Sequence, residues 1–150
     1  MSIELSPMRS EHLAEVKVLE DALFPVDAWT LDMFVAELEQ VGISREVMVA
    51  KLENRIVGYV SLRYVGTEGD VNTIAVDASV QHQGLGTQMM NWLEQTAFER
   101  GVRELFLEVR SDNIPAVAMY LARDFERIDL RRDYYEKGVD AYVMRKKLRS

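Results

Sequence analysis

Residues 71–87 read Val71-Asn72-Thr73-Ile74-Ala75-Val76-Asp77-Ala78-Ser79-Val80-Gln81-His82-Gln83-Gly84-Leu85-Gly86-Thr87. A run rich in β-branched residues, Val71 to Val76, enters a turn with two glycines, and the turn enters a long helical pattern. From Gly84 to Arg100 the apolar residues Leu85, Met89, Leu93 and Ala97 recur every fourth position, and Gly101 stands where a C-terminal cap falls. Two glycines between strand and helix let the backbone approach a ligand without Cβ interference. The unpaired N–H groups of the helix start, with the positive end of its dipole, favour an anion such as a phosphate. The spacing narrows the choice. A Walker loop requires Gly-Lys-Ser/Thr, and Gly86 is followed by Thr87-Gln88. A dinucleotide fingerprint requires a third glycine at the position of Met89. The same residues are equally compatible with a plain structural turn.

Outward from this stretch the periodicity predicts a mixed α/β chain. Ile3 to Met8 is a short strand. Ser10 caps a helix through Leu23, with Leu13, Val16, Val18, Leu19 and Leu23 near helical spacing, and Phe24-Pro25 ends it. Thr30 caps a second helix carrying Leu31, Phe34, Val35 and Leu38. Val47 to Leu52 and Ile56 to Val65 are strands joined by the hairpin-length turn Glu53-Asn54. Leu105 to Val109 is a short strand, and Asn113 begins a helix over Ile114 to Arg123. Phe125 to Leu130 and Ala141 to Leu148 are late strands, with Arg131 to Gly138 as the connector. The order β-α-α-β-β-β-α-β-α-β-β implies one mixed sheet with helices on its faces.

The chain has 150 residues, 48% apolar and 29% charged, with no linker or repeat, so a single domain over residues 1–150 is expected. A formal net charge of −7 argues against a general nucleic-acid binder. The absence of Cys excludes a disulfide scaffold, a Cys-based zinc site and a thiol nucleophile. His12 and His82 lie far apart without metal-ligand companions, so no metal is expected. No apolar run approaches the roughly 20 residues of a membrane span, and the start MSIELSPMRSEH lacks the features of a signal peptide. The expectation is a cytoplasmic protein with no membrane partner. Nothing in the sequence sets an oligomeric state.

Leu105-Phe106-Leu107-Glu108-Val109-Arg110 places one acid inside an apolar strand, and with period two Phe106, Glu108 and Arg110 share a face. One reading is a solvent-facing Glu108 paired with Arg110. The other is a general base. At pH 7 only roughly a tenth of an α-amino group is unprotonated, and far less of a lysine, so an amine nucleophile must first lose a proton. Asn113 and Tyr120 lie seven residues apart, close to two helical turns and therefore on one face. Asn113 is also a good N-cap, and Tyr120 beside Val117 and Leu121 also suits a core. A phenol can also serve as a general acid.

Gln81-x-x-Gly84-x-Gly86, with the preceding Ile74-Ala75-Val76-Asp77, resembles the signature of the GCN5-related N-acetyltransferase (GNAT) family. Leu107-Glu108-Val109-Arg110, Asn113, Ala118-Met119-Tyr120 and Phe125 are similar to the RimI-type subfamily, which acetylates the N-terminal alanine of a small-subunit ribosomal protein. The resemblance implies a central, mixed, mostly antiparallel sheet with helices on both faces, and transfer of acetyl from acetyl-coenzyme A to an amine. It implies that Ile74, Ala75 and Val76 pair with the pantetheine arm through backbone bonds, and that His82, Gln83, Gly84, Leu85, Gly86 and Thr87 hold the pyrophosphate. Asn113 would contact the cofactor, Glu108 would accept the proton and Tyr120 would donate one. Phe24 and Trp29, in the segment between the first two helices, and Tyr134, in Arg131 to Tyr135, would border the acceptor, a protein N-terminal peptide such as that of a ribosomal protein. Two departures stand out. The loop has Gln81, His82, Gln83 and Thr87 where the family places a basic residue or two, so backbone N–H groups would carry more of the phosphate binding. Asp124 replaces the usual glycine before Phe125, and Asp tolerates the left-handed turn better than most residues. A small-molecule amine acetyltransferase and a non-catalytic acyl-coenzyme A-binding module are the rival readings.

Overall fold

The computed structural model describes residues 2–149. Seven strands form one sheet in the order β1-β2-β3-β4-β5-β7-β6: β1 (Glu4–Pro7), β2 (Arg45–Leu52), β3 (Arg55–Val65), β4 (Glu68–Val76), β5 (Glu104–Arg110), β6 (Glu126–Glu136) and β7 (Val139–Lys147). The helices are α1 (Leu13–Leu23), α2 (Leu31–Glu39), α3 (Leu85–Glu99) and α4 (Ile114–Ala122). The pairs β1–β2, β2–β3, β5–β7 and β6–β7 are antiparallel and β4–β5 is parallel, which is the mixed, mostly antiparallel sheet expected. The chain divides into two compact units, one of residues up to Arg63 with Asn72–Thr96, the other of Tyr64–Val71 with the residues from Ala97 onward.

In the first unit, Glu53 and Asn54 turn β2 into β3 with φ of 52° and 67°. Both are left-handed, as a two-residue hairpin matching the strand twist requires. Thr30 caps α2 by accepting the Met33 N–H at 3.2 Å. Val16, Leu19, Phe34, Val49 and Tyr59 form the heart of the core, with the Phe34 ring edge-on to Tyr59 at 5.7 Å. Two acids sit inside it. Glu20 is 2% exposed and accepts from the Tyr59 hydroxyl and, at 2.9 Å, from the Trp29 N–H. Glu37 accepts from Ser61 Oγ at 2.6 Å and Arg45 Nε at 2.7 Å. Tyr59 and Ser61 share one face of β3, so α1 and α2 are each latched to the same strand by a buried carboxylate.

Three expectations change here. Ser10 to His12 forms a 3-10 turn ahead of α1, in which the Arg9 N–H donates to His12 Nδ1 at 2.9 Å, so Ser10 is not the cap of one continuous helix. Val18 is 70% exposed, on the side of α1 opposite Val16 and Glu20. Leu31 and Val35 of α2 are also exposed, because Phe34 and Glu37 take the inward positions.

Gly58 sets the spacing around β4 and α3. A Cβ built there would lie 2.8 Å from the Ala75 carbonyl oxygen, 3.1 Å from Leu85 Cδ2 and 3.6 Å from Met89 Cε. Leu85, Met89 and Leu93 are buried, as the fourfold spacing predicts.

In the second unit, Leu105, Leu107 and Val109 of β5 are buried while Phe106, Glu108 and Arg110 are not, so the strand alternates as read from its sequence. Its start is fixed where Arg103 and Glu104 donate N–H bonds to the Thr67 carbonyl at 2.7 and 3.2 Å. Asn113 caps α4, its Oδ1 accepting the Ala116 N–H at 3.2 Å. At the other end Phe125 N–H bonds the Tyr120 carbonyl at 3.0 Å and Asp124 N–H bonds that of Leu121 at 3.1 Å, with Asp124 at φ 72°. This is a Schellman cap, and its apolar contact is the Tyr120–Phe125 ring pair at 5.7 Å. The expected connector Arg131 to Gly138 is mostly strand. β6 runs to Glu136, and only Lys137-Gly138 turns. Nearly every β6 residue is exposed, so no buried face marks it as a strand.

Candidate active site

In the first unit β4 ends in a short turn. Asp77 accepts the Ser79 N–H at 2.8 Å, which holds its carboxyl below the usual carboxylate range, and Arg55 Nη1 lies 3.5 Å from the same group. Gln81 donates to the Val76 carbonyl at 3.4 Å. His82 then adopts φ 67° and Gly84 φ 83°. The first costs a non-glycine residue about 1–2 kcal/mol, and the second suits glycine. A Cβ on Gly84 would meet nothing within 4 Å, so the loop faces open space. The first helical bond of α3 is Gln88 N–H to the Gly84 carbonyl at 3.0 Å, which leaves the amides from Gly84 to Thr87 without intrahelical acceptors. Leu85 is buried and offers a ligand only its backbone, whereas His82, Gln83 and Thr87 are exposed. No Lys or Arg occurs from Tyr64 to Glu99. A diphosphate therefore fits this turn through oriented amides and the α3 dipole. On β4, Ala75 faces the core, and Ile74 and Val76 are half-buried on the alternate side.

In the same unit, Phe24 and Trp29 pack against the core from the segment between α1 and α2. The Trp29 ring lies 5.1 Å from Phe34, and Glu20 holds its backbone. Both residues anchor the segment, and Val26 between them is exposed.

In the second unit, β5 displays Glu108 with its side chain 32% exposed. Its partner is not Arg110, which pairs with Asp112 at 3.1 Å and Glu136 at 3.8 Å. Arg131 Nη1 lies 3.4 Å from Glu108 Oε1, and interaction with the Glu108 carboxylate pushes the nearby Tyr134 phenol up. Residues three apart in a regular strand face opposite ways. Here the register of β6 against β7 breaks between Arg131 and Glu136, and Asp133 sits at φ 53°. Asp133 secures that break by donating its N–H to Asp140 at 3.0 Å and accepting from the Gly138 N–H at 2.6 Å. The bulge turns Arg131 and Tyr134 to one side.

Tyr120 is 4% exposed, and burial, with the charge of Tyr135 adding to it, pushes its phenol up. It stays protonated at neutral pH and so carries a proton to give. Asn113 spends its oxygen on the cap, which leaves its amide NH₂ for any ligand. Arg131 is the participant that sequence reasoning did not single out. It lay within the quoted segment, but its contact depends on a bulge with no apolar signature. Among the described residues no group of three or more His, Asp or Glu is arranged to hold a metal, and no helix is long and apolar enough to cross a membrane.

Residues 13–125 match the model of the Acetyltransferase (GNAT) family. The chain belongs to that family. GNAT acetyltransferases draw their acetyl group from acetyl-coenzyme A, and this chain is an N-acetyltransferase of that class. It is 39% identical over 125 residues to the N-alpha-acetyltransferase RimI of Mycobacterium tuberculosis, covering 80% of this chain and 76% of that one. Its fold is shared by the ribosomal-protein-S18-alanine N-acetyltransferase of Escherichia coli, with a TM-score of 0.86 at 24% identity over 99% of this chain and 96% of that chain. The PaiA N-acetyltransferase of Thermoplasma acidophilum, solved in complex with coenzyme A, aligns with a TM-score of 0.82 at 16% identity over 98% and 99% of the two chains. The GNAT fold and the acetyltransferase class expected from the sequence both hold.

Proposed function

We propose that this GNAT protein, acting as one domain over residues 1–150, acetylates the α-amino group at the N-terminus of a protein, with an alanine-initiated ribosomal protein as the leading candidate. The observation that carries the reading is Glu108. It is the carboxylate inside the apolar run Leu105 to Val109, exposed beside Arg131 and Tyr134, in a chain 39% identical to an N-alpha-acetyltransferase. An α-amine has a pKa near 8 and is the acceptor most readily freed by a carboxylate.

The amides from Gly84 to Thr87, with His82, Gln83 and the α3 dipole, hold the diphosphate of acetyl-coenzyme A. The backbone of Ile74, Ala75 and Val76 pairs with its pantetheine arm, and the Asn113 amide supplies a further contact. When bound, acetyl-coenzyme A supplies the thioester carbon that the amine attacks and the sulfur that departs. Glu108 accepts one proton from the acceptor's ammonium and releases it to solvent. As the new C–N bond forms and the C–S bond breaks, Tyr120 gives its phenolic proton to the sulfur. The second proton lost from nitrogen restores the phenol, so one proton is released per turnover. Phe24, Trp29 and Tyr134 border the acceptor.

The test is mass spectrometry of short alanine-initiated peptides incubated with protein and acetyl-coenzyme A, beside a panel of polyamines and aminoglycosides. Acetylation confined to the peptide α-amine is expected. Acetylation of the small amines alone would replace this reading with a small-molecule one. Glu108→Gln is expected to lower kcat by about 10²–10⁴, and full turnover in that variant would remove Glu108 from its role.

A further inference from the structure

A carboxylate that takes a proton from an ammonium must first have that ammonium against it. In this structure the place is held by another cation. Arg131 Nη1 lies 3.4 Å from Glu108 Oε1, while Tyr134 lies near the same carboxylate and edge-on to Tyr135 at 5.1 Å. The two contacts differ in kind. Tyr134 is a rigid ring steadied by its neighbour. Arg131 is a long side chain, 52% exposed, at an ion-pair distance well beyond that of a charge-assisted hydrogen bond, with its guanidinium 5.5 Å from the Tyr134 ring centroid. Such a pair is weak and readily exchanged. Arg131 offsets the charge of Glu108 with its own.

We propose that Arg131 is a positioning residue that stands in for the acceptor's ammonium. It balances the Glu108 charge in the free enzyme and swings away when a cationic amine arrives. The inference rests on the reading of Glu108 as the group that meets the acceptor amine. It gives the site a preference for acceptors that bring their own positive charge, because a neutral occupant would displace Arg131 with nothing to replace it.

The sign of the effect is opposite to that of an arginine that binds the acceptor. In Arg131→Gln the acceptor no longer competes for Glu108, so KM for an alanine-initiated peptide is expected to fall about two- to fivefold, the range of an exposed ion pair. KM for acetyl-coenzyme A should not change, and Arg131→Lys should return the peptide KM towards its original value. Calorimetry of the same peptide in the presence of coenzyme A, which forms no product, completes the cycle. The tightening seen in Arg131→Gln should vanish when it is combined with Glu108→Gln. A rise in peptide KM, equal movement of both KM values, or tightening that persists in the double variant would overturn the proposal. These binding readouts do not need turnover. Unimpaired kcat in Glu108→Gln alone would therefore count against the base assignment, while the cycle separately reports on Arg131.

Discussion

Replacing Gly58 with alanine tests whether the close approach of β3, β4 and α3 places the glycine loop. The added methyl would lie 2.8 Å from the Ala75 carbonyl oxygen and 3.1 Å from Leu85 Cδ2, whereas ordinary contacts begin at 3.4 Å. Leu85 can give by a few tenths of an ångström through its rotamer. The carbonyl cannot, so β4 must retreat by about 0.6 Å at the residue proposed to pair with the pantetheine arm. Overpacking of this kind costs about 1–3 kcal/mol. At about 3 °C per kcal/mol for a chain of this size, Tm should drop by about 3–9 °C. Because the displaced atoms belong to Ala75 and Leu85, acetyl-coenzyme A affinity should fall with stability, whereas an equally destabilising change remote from β4 should leave it intact. Thermal melts and calorimetry with acetyl-coenzyme A read the two effects. A variant with unchanged Tm and unchanged affinity would refute the claim that this contact fixes the loop.

Three further outcomes follow from contacts described above. Glu20→Ala strands the Tyr59 hydroxyl and the Trp29 N–H in the core and should cost about 2–5 kcal/mol by urea denaturation. Glu20→Gln can still accept from Trp29 and donate to Tyr59, and should cost less than half as much. Asp124→Gly relieves the left-handed residue of the α4 cap and should stabilise the fold by about 0.5–1 kcal/mol, read as a higher urea midpoint, with no change in kcat. Burial holds the Tyr59 and Tyr120 phenols above the ordinary 10.0, helped at Tyr59 by its bond to Glu20 and at Tyr120 by Tyr135. Their folded pKa values are raised, so their contribution is complete below pH 10 and is lost above it, as the unfolded chain ionises first. Two such groups give a fall of about 2 kcal/mol between pH 10 and 11, and Tyr120→Phe should halve it.

The parts of this molecule that were legible in the sequence are those set by local chemistry. The Leu85, Met89, Leu93, Ala97 repeat and Gly101 marked α3. Thr30 and Asn113 marked two helix starts, and Asp124 marked the left-handed turn that follows Tyr120. Glu108 was visible because an acid interrupts an apolar alternation. What could not be read depends on partners brought from elsewhere in the chain. Glu20 and Glu37 look like solvent-facing positions until Tyr59 and Ser61 arrive from β3 to satisfy them. Val18 sits at helical spacing from core residues yet has no surface to cover it. Arg131 to Glu136 has no buried side and a broken register, so neither its strand state nor its reach to Glu108 has a periodic signature.

The twin carboxylate latches on β3 also constrain how this sequence can drift. Apolar contacts tolerate exchange one residue at a time, since one hydrocarbon side chain substitutes for another at modest cost. An acid sealed beneath a helix has no such freedom. A lineage that lost the Tyr59 hydroxyl would leave one oxygen of the buried Glu20 without its donor, and one that lost Ser61 would do the same at Glu37, whose other oxygen Arg45 still holds. These positions should therefore change in pairs or stay as they are, and the segment carrying Phe24 and Trp29 is bound to the same covenant through the Trp29 amide.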